Sequence, residues 1–211
     1  MKVNVIDTLQ NEDVYDFIFV TVRYDRSESA LFALKDNQSK NIVTMTGNSI
    51  GFSSWLDIVG DRLLPAFPGF GGQIKDGVLH ARFPPKILVA TAFGEIDGVV
   101  THSVSDIAML SVLQTARTRK TAHQITVTFK GYLRAIQKSG VSIDPAILKM
   151  VLKFPNFILD LFFMMWQRTK MVQDMMLPDY ADNANNEIVQ LNNDLLKFLS
   201  QNDTELEIHA Q

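Results

Sequence analysis

Apolar positions along the chain fall into two regimes: alternation or short unbroken runs before about residue 100, and a period near 3.6 after it. Residues 16–26, DFIFVTVRYDR, join an apolar, β-branched run to a charged exit. Phe17, Ile18, Phe19, Val20 and Val22 fit a strand buried on both faces, as in a parallel sheet. Ser27, Glu28 and Ser29 supply helix-start residues ahead of Ala30, Leu31 and Leu34, so the strand hands over directly to a helix. The pattern repeats at residues 41–45, a strand, followed by a small polar turn from Thr46 to Gly51 and a helix holding Trp55, Leu56, Ile58 and Val59. Val3, Val5 and Ile6 read as a short additional strand. Residues 63–67 read as another strand. Runs 78–83 and 86–93 read as an antiparallel pair ending in the turn GEIDG at 94–98, which makes the sheet mixed. PGFGGQ at 68–73 is a tight turn, because its glycines lack the strand–GxGxxG–helix spacing that seats a pyrophosphate.

From about Ser103 the helical period takes over, with Ile107, Leu110, Val112 and Leu113 opening a stretch that runs to a stop at Ser139 and Gly140. Asp144 and Pro145 suit an N-cap and first turn, a further helix follows Pro155, and a last one beginning near Pro178 carries Ile188, Leu191, Leu195 and Leu199 on one stripe. Phe154 to Trp166 is the most apolar run, but its 13 residues fall short of the roughly 20 needed to cross a bilayer. It reads as a core or interface helix whose Phe157, Leu161, Phe162 and Trp166 make the chain associate with itself or a partner. The fold class is therefore α/β: a partial Rossmann-like sheet over residues 1–100 followed by an all-α C-terminal domain over residues 101–211.

Composition narrows the chemistry. At 211 residues and 46% hydrophobic, the chain can bury a real core. Without cysteine it has no disulfides, thiolate zinc sites or cysteine nucleophiles, and a cysteine-free chain with no apolar leader at its start fits a cytoplasmic location. The net charge of −3 hides an uneven spread: 9 bases against 12 acids in residues 1–100, 10 against 5 in residues 101–180, and 1 against 6 thereafter. The basic middle attracts phosphates in principle, but overall acidity and scattered aromatics argue against a nucleic-acid partner, and no membrane partner is expected. His80, His102, His123 and His209 lack ligand spacing, so no metal site is expected, and GxSxG and GxxxxGK[ST] motifs are absent.

At the ends of the apolar strands, Arg23, Tyr24 and Asp25 stand where open α/β sheets bind ligands, and Asn48 offers both donors and an acceptor in the next turn. These blocks resemble the ketopantoate reductase (2-dehydropantoate 2-reductase) family. Tyr15, Asp16, Ile18, Val20, Val22 and Arg23 match a YDxIxVxVK strand with arginine in place of lysine. TMTGNSIGF is similar to the family's asparagine–glycine turn, Gly94, Glu95, Asp97 and Gly98 to its GExDG pattern, and NEIVQLNNDLL to TEIxxLNGxLL through Glu187, Ile188, Leu191, Asn192, Leu195 and Leu196.

The resemblance implies an oxidoreductase of pantothenate biosynthesis, using NADP to reduce a 2-keto acid such as 2-dehydropantoate. It makes Arg23 and Asn48 the cofactor-binding residues and Glu187 a catalytic residue that orients a substrate hydroxyl; a homo-oligomer is expected from the apolar run 154–166 instead. The family's GxGxxG strand and catalytic lysine have no counterpart that can be placed here; Lys120 and Lys130 read as helix-face lysines. The alternative expectation is a non-catalytic remnant acting as an interaction or self-association module.

Overall fold

The computed structural model describes residues 4–66, 71–82, 96–113, 118–170, 172–173, 185–202 and 204. Three short strands, β1 (Ile18–Val20), β2 (Ile42–Met45) and β3 (Leu63–Ala66), form a parallel sheet in the order β1-β2-β3. The register pairs Ile18 with Ile42 and Ile42 with Leu63. Helices α1 (Tyr24–Ala33) and α2 (Ser53–Val59) make the two parallel crossovers, so the strand–helix alternation read from the sequence is an unbroken βαβαβ unit. Hairpin β4 (Gly71–Lys75) and β5 (Val78–Arg82) stands apart as a second, antiparallel sheet.

Helices α3 (Ile96–Leu113), α4 (Arg119–Lys138), α5 (Ala146–Val151), α6 (Asn156–Trp166) and α7 (Asn185–Gln201) follow among the described residues. The architecture is thus α/β, a partial Rossmann-like sheet followed by an all-α part. Helix α3 packs on β3, α4 and α7, and α4 packs along α6. One cluster of buried residues runs through the whole, from Val20, Leu31, Ile42 and Trp55 at the sheet to Ile107, Ile125, Leu133, Leu195 and Leu199 among the helices. Among the described residues, no helix is long and apolar enough to cross a membrane.

Several expectations are corrected. Val5 and Ile6 lie in an exposed stretch without strand, and Val3 lies outside the described residues; further along, Asn37 Nδ2 donates to the carbonyls of Gln10 and Asp13 at 3.0 and 2.9 Å. The strand expected at residues 17–22 is not buried on both faces: Ile18 and Val20 turn to the core, while Phe17 and Phe19 are 50% and 58% exposed. Helix α1 begins at Tyr24, ahead of the expected serines. Residues 78–82 pair with 71–75, because Asp76 and Gly77 adopt φ of 52° and 76° and close a two-residue hairpin. The three-stranded sheet therefore stays purely parallel. Ile96, Asp97 and Gly98 of GEIDG lie in the first turn of α3, whereas Gly94, Glu95 and the expected strand at 86–93 lie outside the described residues.

Arg62 anchors the return from α1. Its guanidinium donates to the carbonyls of Leu34, Lys35 and Asn37, and its Nε to that of Val59 at 3.0 Å. The first three acceptors lie at and just after the end of α1, where a cation is also favoured by the helix dipole.

Candidate functional site

The carboxyl ends of β1 and β2 open side by side, and residues from four distant parts of the chain meet there. Arg23 is the N-cap of α1 by backbone geometry, yet no side chain at that position accepts from the helix. The acceptor comes from α7. Glu187 Oε1 takes the Tyr24 N–H at 3.0 Å and the Thr46 hydroxyl at 3.3 Å. A carboxylate at that point satisfies an orphan donor and faces the positive end of the helix dipole, the two properties that suit helix N-termini to anions.

The turn after β2 is equally tied down. The Asn48 N–H donates to Ser103 Oγ of α3 at 2.8 Å, and Asn48 Oδ1 accepts from the Ile50 N–H at 3.0 Å, an Asx-type turn. Ser49 Oγ donates to the Leu191 carbonyl of α7 at 2.8 Å. Gly47 lets these elements approach: a Cβ there would stand 3.2 Å from Ser103 Oγ and 3.5 Å from Leu191 Cδ1.

Beside this crevice lies a cavity of about 330 Å³ lined by Tyr24, Glu28, Trp55, Asp194, Lys197 and Phe198, among others. Tyr24 belongs to both, lining the cavity with its N–H bonded to Glu187. Its hydroxyl donates to Asp194 Oδ2 at 3.0 Å, and its ring lies 6.3 Å from that of Trp55. Burial, and then the Asp194 carboxylate, push the Tyr24 phenol well above its ordinary range, so it remains a neutral donor at any physiological pH.

The expected site residues thus come to one place with different standing. Arg23 stays at the rim, half exposed, with Nη2 3.0 Å from Asp25 Oδ2. Asn48 is buried and its side-chain oxygen shapes its own turn. Glu187 is half-buried and caps α1. Thr46, Ser103 and Asp194 were not singled out from the sequence. Asp194 had a signal: it follows Glu187 by two helical turns and so shares its face of α7. Ser103 had none, because a serine inside an apolar helix looks the same whether or not it receives an N–H from a loop 55 residues away.

Lys130 departs from the helix-face reading. It is buried, its ammonium donates to the Phe154 carbonyl and to Asn156 Oδ1 at 2.9 Å, and burial lowers its pKa. It ties α4 to the start of α6. Lys120 is exposed. Among the described residues no cluster of three metal-ligating side chains occurs.

A nicotinamide dinucleotide needs a row of free N–H groups for its pyrophosphate. At the crevice those of Tyr24, Asn48 and Ile50 are already taken by protein acceptors. Those three N–H groups are therefore not available to a pyrophosphate.

No family model matches the chain, and no curated protein matches it. Among solved structures it is similar to a dimeric ketopantoate reductase from Staphylococcus aureus, at 12% identity over 90% of this chain and 79% of that one, with a TM-score of 0.48. It is also similar to a D-mandelate dehydrogenase in a ternary complex with NADH and anilino(oxo)acetate, at 11% identity over 93% and 80%, with a TM-score of 0.49. Likenesses at this level carry no functional argument, which rests on the site.

Proposed function

We propose that the chain is a ketopantoate-reductase-like oxidoreductase domain whose crevice and adjoining cavity take a small 2-keto acid, in the cytoplasm, with NADP as the cofactor the resemblance implies. The observation that carries this reading is convergence. The blocks VRYD, TGNSIG and NEIVQLNNDLL are far apart in sequence, yet they meet through Glu187 with Tyr24, Glu187 with Thr46, and Ser49 with Leu191.

Within the site, Arg23 at the rim is the cation available to a substrate carboxylate, and Lys197 is a donor lining the cavity, while the Tyr24 hydroxyl, its proton given to Asp194, offers only an acceptor. Glu187 holds the crevice in shape by joining α7 to both strand ends. The N–H groups of Tyr24, Asn48 and Ile50, already taken by protein acceptors, give the cofactor's pyrophosphate no donor.

Isothermal titration with 2-dehydropantoate and with pyruvate tests the reading, alongside titration of NADPH by its fluorescence. Saturable keto-acid binding that weakens at least about tenfold in Arg23→Ala supports it. Absence of binding for keto acids and NADPH alike would retire the enzyme-like reading. A second reading, a non-catalytic interaction module, is favoured by one separate observation: the outer face of α6 is bare, with Phe157 at 68% and Phe162 at 56% exposure.

A further inference from the structure

The bare face extends beyond α6. Ile147 and Met150 on α5, Phe154 in the link, and Phe157, Ile158, Leu161, Phe162 and Met165 on α6 are all exposed, while Leu159 and Phe163 on the other side of α6 are buried. Positions 157, 161 and 165, with 158 and 162, form one continuous helical stripe. Trp166 does not belong to it, being half-buried with its ring 5.9 Å from that of Phe163.

Exposed charge along residues 145–170 is one-sided. From residue 145 to 170 the exposed ionisable groups are Lys149, Lys153, Arg168 and Lys170. The one acid in that span, Asp160, is turned inward, with Oδ2 2.9 Å from His123 Nδ1. The bases sit beyond both ends of α6. A second copy laid on this stripe, parallel or antiparallel, would bring bases against bases with no exposed acid of the span to offset them. A long apolar stripe ended by lysine and arginine has instead the composition of helices that lie in a membrane interface, apolar groups among the acyl chains and ammonium groups at anionic headgroups.

We propose that the α5–α6 face docks on an anionic lipid bilayer, with Phe157, Leu161, Phe162 and Met165 entering the interface and Lys149, Lys153, Arg168 and Lys170 meeting the headgroup phosphates. This uses the basic excess of the middle of the chain, which the crevice does not, and it does not depend on the enzymatic reading. The shortness of residues 154–166 excludes a span; it does not bear on a helix lying flat.

The test is flotation of the full chain with vesicles of phosphatidylcholine alone or mixed with phosphatidylglycerol, with light scattering of the lipid-free protein. We expect partition onto the mixed vesicles, weakened about tenfold or more on phosphatidylcholine alone, in raised salt, in Phe162→Asp, and in Lys149→Glu with Lys153→Glu. All the substituted side chains are exposed, so circular dichroism should be unchanged and the charge-reversed variant tests lipid contact apart from folding. Failure to float with either vesicle, or equal flotation with both, would overturn the proposal. A dimer dissolved by Phe162→Asp without vesicle binding would assign the face to a second copy, and capture of an acidic amphipathic peptide without vesicle binding to a protein partner; either also overturns it.

Discussion

Glu187 closes the N-terminus of the helix that begins at Tyr24, 163 residues earlier in the chain. An N-cap acceptor contributes about 0.5–2 kcal/mol, and a carboxylate facing the helix dipole adds to it. Glu187→Ala is expected to lower Tm by roughly 3–6 °C, with Glu187→Gln losing less because its carbonyl still accepts. Thermal unfolding followed by circular dichroism measures both. An unchanged Tm in the alanine variant would show that the cap contributes nothing.

Asp106 on α3 gives a pH dependence with a definite sign. Burial raises its carboxyl from the ordinary range to about 7. A group whose folded pKa is raised contributes stability that is full below its unfolded pKa and is lost as pH climbs through the folded value. The stability of Asp106→Asn relative to the parent should therefore rise between pH 5 and pH 8. Urea unfolding at the two pH values reads this directly, and a constant difference would count against a protonated Asp106.

Arg62 should resist conservative replacement. Its planar fork reaches four carbonyls on different residues, which a single ammonium cannot reproduce. Hydrogen bonds to charged groups contribute about 1.5–3 kcal/mol, so Arg62→Ala should lower the unfolding free energy by about that much, with Arg62→Lys recovering less than half of it. Full rescue by lysine would mean that charge alone matters there.

Tyr24 and Asp194 should be coupled. Tyr24→Phe and Asp194→Asn each disturb the 3.0 Å hydrogen bond between α1 and α7, so a double-mutant cycle should return an interaction energy of about 0.5–1.5 kcal/mol. Strict additivity would show that the contact does not persist in solution.

The parallel unit was legible because its signals are local. Ile42–Met45 is a β-branched run ended by a glycine turn, and Trp55 and Val59 lie one helical turn apart. The hairpin of residues 71–75 with 78–82 was missed although the Asp76–Gly77 dipeptide is the stronger short-range signal for a two-residue turn. The burial assigned to Phe17 and Phe19 failed for another reason: strand composition reports β preference, whereas covering both faces depends on neighbours contributed by other parts of the fold. Arg23, Asn48 and Glu187 could be placed near one another by resemblance. That Glu187 caps α1 and that Asn48 shapes its own turn are facts of geometry between distant residues, and no local pattern encodes them.

The long reach of Glu187 also sets an order of assembly. A ribosome adding roughly 5–20 residues per second leaves about 10–30 s between Tyr24 and the arrival of its capping carboxylate. For that interval the nascent β1–α1 corner carries an open helix N-terminus, and the cavity lacks the wall that α7 provides. The crevice thus cannot close until α7 has been made, and a chain that stalls before it lacks both the cap on α1 and that wall of the cavity.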